Sequence, residues 1–210
     1  MNKPETNENV AEKSILGKIG LTWVFVVFMA YIVVASMQIF ALYPIESRLL
    51  PLYSQYASLI YLPHAVRVLA TAIYGPRAFW VLLPAILFTT YMFYPPVNGH
   101  VSVDVLLLAV IGAACAPIGY MALKLIGMIR SDFDYNNSIL NWRYIFTAGV
   151  IASAINSIGL TAVFFGLSDI RAAALAMGRF FIGDIIGLFV GLVVLTWVFR
   201  MLRKAREGDV

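Results

Sequence analysis

"YLPHAVRVLATAIYGPRAFW" occupies residues 61–80. It has the make-up of a membrane helix with a histidine and an arginine inside it. His64, Arg67 and Thr71 stand at i, i+3 and i+7, so they share one helical face. Gly75-Pro76 marks a turn at the end. A stretch of this kind fits a bundle of membrane helices, where a polar face can turn away from lipid toward protein or water.

The rest of the chain agrees. Of its 210 residues, 61% are hydrophobic and only 12% are charged, against about 45–50% and about 25% in soluble domains. Mean hydropathy is +0.86. Six apolar stretches, near 19–43, 54–74, 77–95, 102–129, 144–166 and 172–200, approach or exceed the ~20 residues that a crossing needs. The expected fold is an all-α polytopic membrane protein of six transmembrane helices. Residues 1–18 read as a polar, mobile cytoplasmic tail, 19–203 as the membrane domain, and 204–210 as a short cytoplasmic tail. The first apolar run is longer than the ~7–15-residue core of a signal peptide and ends at no small-x-small cleavage signal, so it reads as a retained helix. Pro63 and Arg67 interrupt the second stretch, which reads as a helix broken at Pro63 or a re-entrant one.

Lysines and arginines set the orientation. With the N-terminus inside, eleven of them (Lys3, Lys13, Lys18, Arg77, Lys124, Arg130, Arg143, Arg200, Arg203, Lys204 and Arg206) fall on the inner side, and only Arg48 and Arg171 on the outer. An even number of passes returns the C-terminus to the cytoplasm, as in a bacterial inner membrane. The net charge of +4 is therefore topology. It forms no broad basic face, and nucleic acid is not an expected partner.

Arg67, Arg179 and Asp184 lie within spans. An ionised group at mid-bilayer costs about 2.5–3.5 kcal/mol on insertion scales, so such groups face protein or water and usually pair. By helical rise, His64 falls at the depth of Arg179, and Arg67 at that of Asp184. His64, Arg67, Asn156, Arg179 and Asp184 are thus candidates to line a polar pocket between the second, fifth and sixth spans, with Arg67 held by Asp184. Ser153, Ser157 and Thr161 add hydroxyls at helical spacing. Two arginines against one aspartate leave a positive charge, that of Arg179, to be matched by an anionic small molecule or lipid headgroup, a water-filled pocket or Asp169. The same residues also read as a purely structural ion pair. Gly183, Gly187 and Gly191 form a small-residue stripe suited to close helix packing.

Several chemistries have no carrier. Cys115 is the only cysteine, so no internal disulfide forms, and it reads as a packing residue. The second histidine, His100, sits in an outer loop, which leaves no two-histidine metal or haem site. No mid-span lysine suits a retinal-type Schiff base, and no phosphate loop, H-E-x-x-H or G-x-S-x-G motif occurs. Neither a metal, a cofactor nor an enzymatic activity is expected.

Two stretches carry a resemblance. "LPHAVRVLATAIYGPRAF" has Pro63 at a helix start, an apolar run, and Gly75, Arg77 and Phe79. "FIGDIIGLFVGLVVL" has Phe181, Gly183, Asp184 and Gly187 before an apolar helix. In order and position both are similar to signatures of the first-described MASE-type membrane-associated sensor domains, over about a quarter of the chain. The resemblance implies a multi-helix membrane domain that passes a signal to a cytoplasmic enzyme such as a diguanylate cyclase or a histidine kinase. Those domains usually have about eight helices rather than six, and His64, Ala65 and Arg67 depart from the small or apolar residues usual there. No output domain follows Val210, so a partner protein, membrane or cytoplasmic, is expected to supply the output. Two rival expectations share the six-helix plan. One is the substrate-binding subunit of an energy-coupling-factor vitamin transporter, and the other is a structural subunit of a larger membrane complex.

Overall fold

A computed structural model of the chain describes residues 7–51, 57–93, 103–128, 142–165 and 170–207. Among them there are helices and no strand. The helices are α1 (Asn7–Met37), α2 (Tyr43–Leu49), α3 (Leu62–Tyr74), α4 (Phe79–Phe93), α5 (Val103–Leu125), α6 (Trp142–Phe165) and α7 (Ile170–Glu207). A π-helical turn, Gln38–Leu42, joins α1 to α2, and a 3-10 turn, Gly75–Ala78, joins α3 to α4. Among the described residues, five helical runs are long and apolar enough to cross a membrane: Thr22–Leu49, Leu62–Met92, Val103–Leu125, Trp142–Phe164 and Ile170–Ala205.

The burial pattern is that of a bundle in lipid. Phe40, Trp80, Leu125 and Phe189 point outward, while His64, Arg67, Ser153, Asn156 and Asp184 are buried. Without water outside, backbone and side-chain polar groups must be satisfied within the protein. α3 packs against α1, α5, α6 and α7, and α4 against α1 and α5. Small residues let the helices approach. A Cβ added at Gly119 would meet the Ala148 carbonyl at 2.6 Å, and one at Gly149 would run into the Leu188 side chain.

The run Leu62–Met92 is interrupted at Gly75, whose φ of 66° is a conformation that favours glycine. Gly75 caps α3 by donating its backbone N–H to the Thr71 carbonyl. The Gly-Pro turn read from the sequence thus becomes a helix stop followed by one 3-10 turn.

Helix extends past three of the expected boundaries. The tail assigned to 1–18 is helical from Asn7. After Pro4 this stretch contains no proline and carries three glutamates and two lysines, which favour helix. The short tail at 204–210 is likewise helical through Glu207. The outer loop expected from Pro44 is helical to Leu49, because proline is tolerated in the first helical turn. Residues 1–6 and 208–210 lie outside the described part.

The second span is the main departure from a regular helix. Among the described residues of 54–74, only Leu62–Tyr74 is helical, and 57–61 is irregular. The break falls just before Pro63, which sits in the first turn of α3. The amides of residues 59–62 all find partners. Leu59 and Ile60 donate to the Glu46 carboxylate at 3.0 and 2.9 Å, Tyr61 donates to the Gly183 carbonyl at 3.0 Å, and Leu62 donates to the Gln38 side chain at 3.1 Å. Ser58 Oγ donates to Glu46 at 2.5 Å and accepts from Gln38 at 2.8 Å. Each such group left bare in hydrocarbon costs several kcal/mol, so Gln38 and Glu46 are what allow a non-helical entry. The π turn places Gln38 for this task, as π-bulges do when they redirect a side chain.

Candidate functional site

The non-helical stretch sets the depth of α3. The carbonyls of Ser58 and Tyr61 lie over Gly183 and Gly187, where a Cβ would overlap each carbonyl oxygen. Ala65 lies over Gly191 in the same way. The glycine stripe of α7 therefore packs on the second span, two of its members against irregular backbone and one against helix. α3 and α7 run in the same direction, since 58, 61 and 65 follow 183, 187 and 191.

Asp184 comes level with His64. His64 Nδ1 is 3.6 Å from Asp184 Oδ2. The expected register, His64 with Arg179 and Arg67 with Asp184, is thereby corrected. That expectation applied a helical rise of 1.5 Å to every residue. In the structure 61 and 65 stand opposite 187 and 191, which carries His64 deeper along α7 than that count allowed.

Arg67 does not pair directly with Asp184. Its Nη1 donates to Asn156 Oδ1 at 3.4 Å, and Asn156 Nδ2 donates to Asp184 Oδ2 at 2.7 Å. Arg67 Nη2 donates to the Tyr31 and Tyr61 hydroxyls at 3.0 and 3.2 Å. The guanidinium lies 5.7 and 5.4 Å from the two ring centroids, within cation–π range. Its other face rests on Gly112, where a Cβ would come within 3.3 Å. A guanidinium suits this cage because it offers five donors in one plane and is weakly hydrated.

Four of the five candidate residues come together: His64, Arg67, Asn156 and Asp184, all buried. Arg179 is half-buried, five residues before Asp184 on α7, and has an interaction of its own. It takes no part in the hydrogen bonds that join the other four. The cluster then carries one arginine and one aspartate, so the charge count that called for an anion no longer does so. His100 lies outside the described residues, and among those residues no group of three His, Cys, Asp or Glu could hold a metal.

Tyr31, Tyr61, Gln38 and Glu46 were not singled out from the sequence. Tyr31 and Tyr61 read as ordinary aromatics of apolar runs, and Glu46 reads as an outer-loop charge. The available signal was Gln38 and Glu46, two polar residues eight apart at the end of an otherwise apolar first span.

Ser153 Oγ lies 3.1 Å from His64 Nε2, which is also 3.2 Å from the Gly149 carbonyl. With Asp184 beyond Nδ1, the order serine–histidine–aspartate is that of a nucleophile, a base and an orienting group. Two features work against that use. Ser153 Oγ donates to the Gly149 carbonyl at 2.9 Å, and α6 commits the neighbouring backbone amides to its own ladder, so they are not free as oxyanion donors. His64 Nδ1 and Arg67 Nε are buried without a hydrogen-bond partner. Native interiors leave few such atoms, and each calls for a reason. No family model matches the chain, and neither a curated protein nor a solved structure does.

Proposed function

We propose that this chain is a six-pass sensing or ligand-binding module of a bacterial inner membrane, with both termini cytoplasmic, acting through a partner protein that supplies the output. The observation that carries this reading is where the buried ionisable groups sit. His64 and Arg67 occupy the first two turns of α3, directly after irregular backbone held by the π turn, α2 and α7. An intramembrane ionisable residue is a functional-site candidate by default, and broken helices at membrane depth mark binding sites in transport proteins. Here the charge network and the irregular backbone share Tyr61, which donates its N–H to Gly183 and accepts Arg67 on its hydroxyl. A small polar ligand or a change of charge at His64 and Asp184 would be transmitted through Tyr61 to residues 57–61. The resemblance to MASE-type sensor domains, which includes Asp184, agrees with this role.

A structural subunit of a larger complex is the second reading, favoured by the even charge of the cluster. A transporter's substrate-binding subunit would share the broken second pass. The discriminating experiment changes the charge and watches the backbone. In a Cys115→Ala background, Ser58→Cys is labelled with a membrane-impermeant maleimide, with and without Asp184→Asn. Sensing predicts a several-fold change in labelling rate in a protein that still elutes as a folded species. An unchanged rate would leave the structural reading. Affinity purification from native membranes separates the partners: a kinase or cyclase supports sensing, an ATPase pair supports transport, and a multi-subunit complex supports assembly.

A further inference from the structure

At the end of the bundle where α6 begins and α7 finishes, the two helices leave a groove of about 560 Å³ between them. That volume falls within the ~300–1,000 Å³ usual for small-molecule sites. Its walls are apolar, with Phe146, Phe189 and Leu192 among them. Its mouth is different in kind. Trp142 and Trp197, each more than half exposed, stand there with Arg200. Arg143 lies over the Trp142 ring at 5.8 Å, and Arg203 and Lys204 follow on α7. No acidic residue lines the groove.

We infer that this groove binds an anionic phospholipid, which lays an acyl chain along Phe146, Phe189 and Leu192 and sets its headgroup phosphate against Arg200. The sequence of chemistries matches such a lipid from tail to head. An apolar trough passes through a belt of indoles, whose amphipathic rings prefer the interface, to a cluster of fixed positive charge. Basic sites between transmembrane helices are a known form of anionic headgroup recognition. A zwitterionic lipid would fill the trough equally well and gain less at Arg200. The groove is separate from the His64 cluster, and lipid binding there is independent of the sensing role and of which side of the membrane this end faces.

The native tryptophans allow a direct test. Trp23→Phe with Trp80→Phe leaves Trp142 and Trp197 as the reporters. The protein is reconstituted in phosphatidylcholine with equal mole fractions of acyl-brominated phosphatidylglycerol or acyl-brominated phosphatidylcholine, and bromine quenching is compared. The anionic lipid is expected to quench at lower mole fraction. Arg200→Gln, at an exposed position that does not threaten the fold, is expected to reduce that preference roughly fivefold, as befits one basic residue near an anionic surface. Arg77→Gln, on a different turn, is expected to leave it unchanged. Equal quenching by the two lipids would overturn the inference, as would an anionic preference that survives Arg200→Gln. Competition by soluble glycerol phosphate would also overturn it, by assigning the site to a free anion.

Discussion

Asn156 donates its amide to Asp184 at 2.7 Å and accepts Arg67 on its other end at 3.4 Å, so the buried cation and anion meet through a neutral side chain. An amide suits the position because it presents a donor and an acceptor at once. Asn156→Ala removes both. Arg67 and Asp184 each then lose a partner in a site closed to water, and a buried polar group left unsatisfied costs about 1–3 kcal/mol. The variant is expected to lose stability of that order in detergent denaturation. Asn156→Gln, which keeps both functions on a longer stem, is expected to lose less.

Glu46 receives three hydrogen bonds from residues 58–60. Glu46→Ala strands the amides of Leu59 and Ile60 and is expected to lower the yield of folded protein sharply. Glu46→Gln keeps one acceptor oxygen and turns the other into a donor facing an N–H. It is expected to fall between wild type and alanine in thermal denaturation. Equal stability of all three proteins would mean that residues 57–61 do not need this carboxylate.

Gly187 and Gly178 lie on the same helix and predict opposite outcomes. A Cβ at Gly187 would overlap the Tyr61 carbonyl and crowd its backbone N at 2.8 Å, none of which can swing aside as a side-chain tip can. Gly187→Ala is expected to cost about 1–3 kcal/mol or more from overpacking. Gly178 has nothing within 4 Å of such a Cβ, so Gly178→Ala is expected to be neutral or to stabilise by up to about 1 kcal/mol, the helix preference of alanine over glycine. Unfolding midpoints of the two variants in the same detergent check the contrast.

The six-pass reading predicts that reporter fusions after Gly99 and after Asp169 face the outer side and that a fusion at Val210 faces the cytoplasm. Alkaline phosphatase and fluorescent-protein fusions at these positions measure it. A C-terminal fusion active outside would refute the orientation drawn from the eleven-to-two distribution of basic residues.

The sequence by itself determined the solvent and the inventory. Hydropathy adds up residue by residue, so a chain of this composition reads as membrane helices without any knowledge of contacts. The i, i+3, i+7 spacing likewise put His64, Arg67 and Thr71 on one face, and the structure buries all three. Asn156 and Asp184 stood out because polar groups are costly in apolar spans. Tertiary structure decided the pairing. Register between α3 and α7 depends on where residues 57–61 are anchored, and that is fixed by Gln38 and Glu46, some twenty and a dozen residues earlier in the chain, and by the Gly183 carbonyl. No local pattern encodes it. Because these long-range contacts set the register, Asp184 meets His64 instead of Arg67, Asn156 fills the gap to Arg67, and Arg179 is left outside the cluster. Position along a helix could be counted from the sequence, but depth across a break could not, because a non-helical residue has no fixed rise.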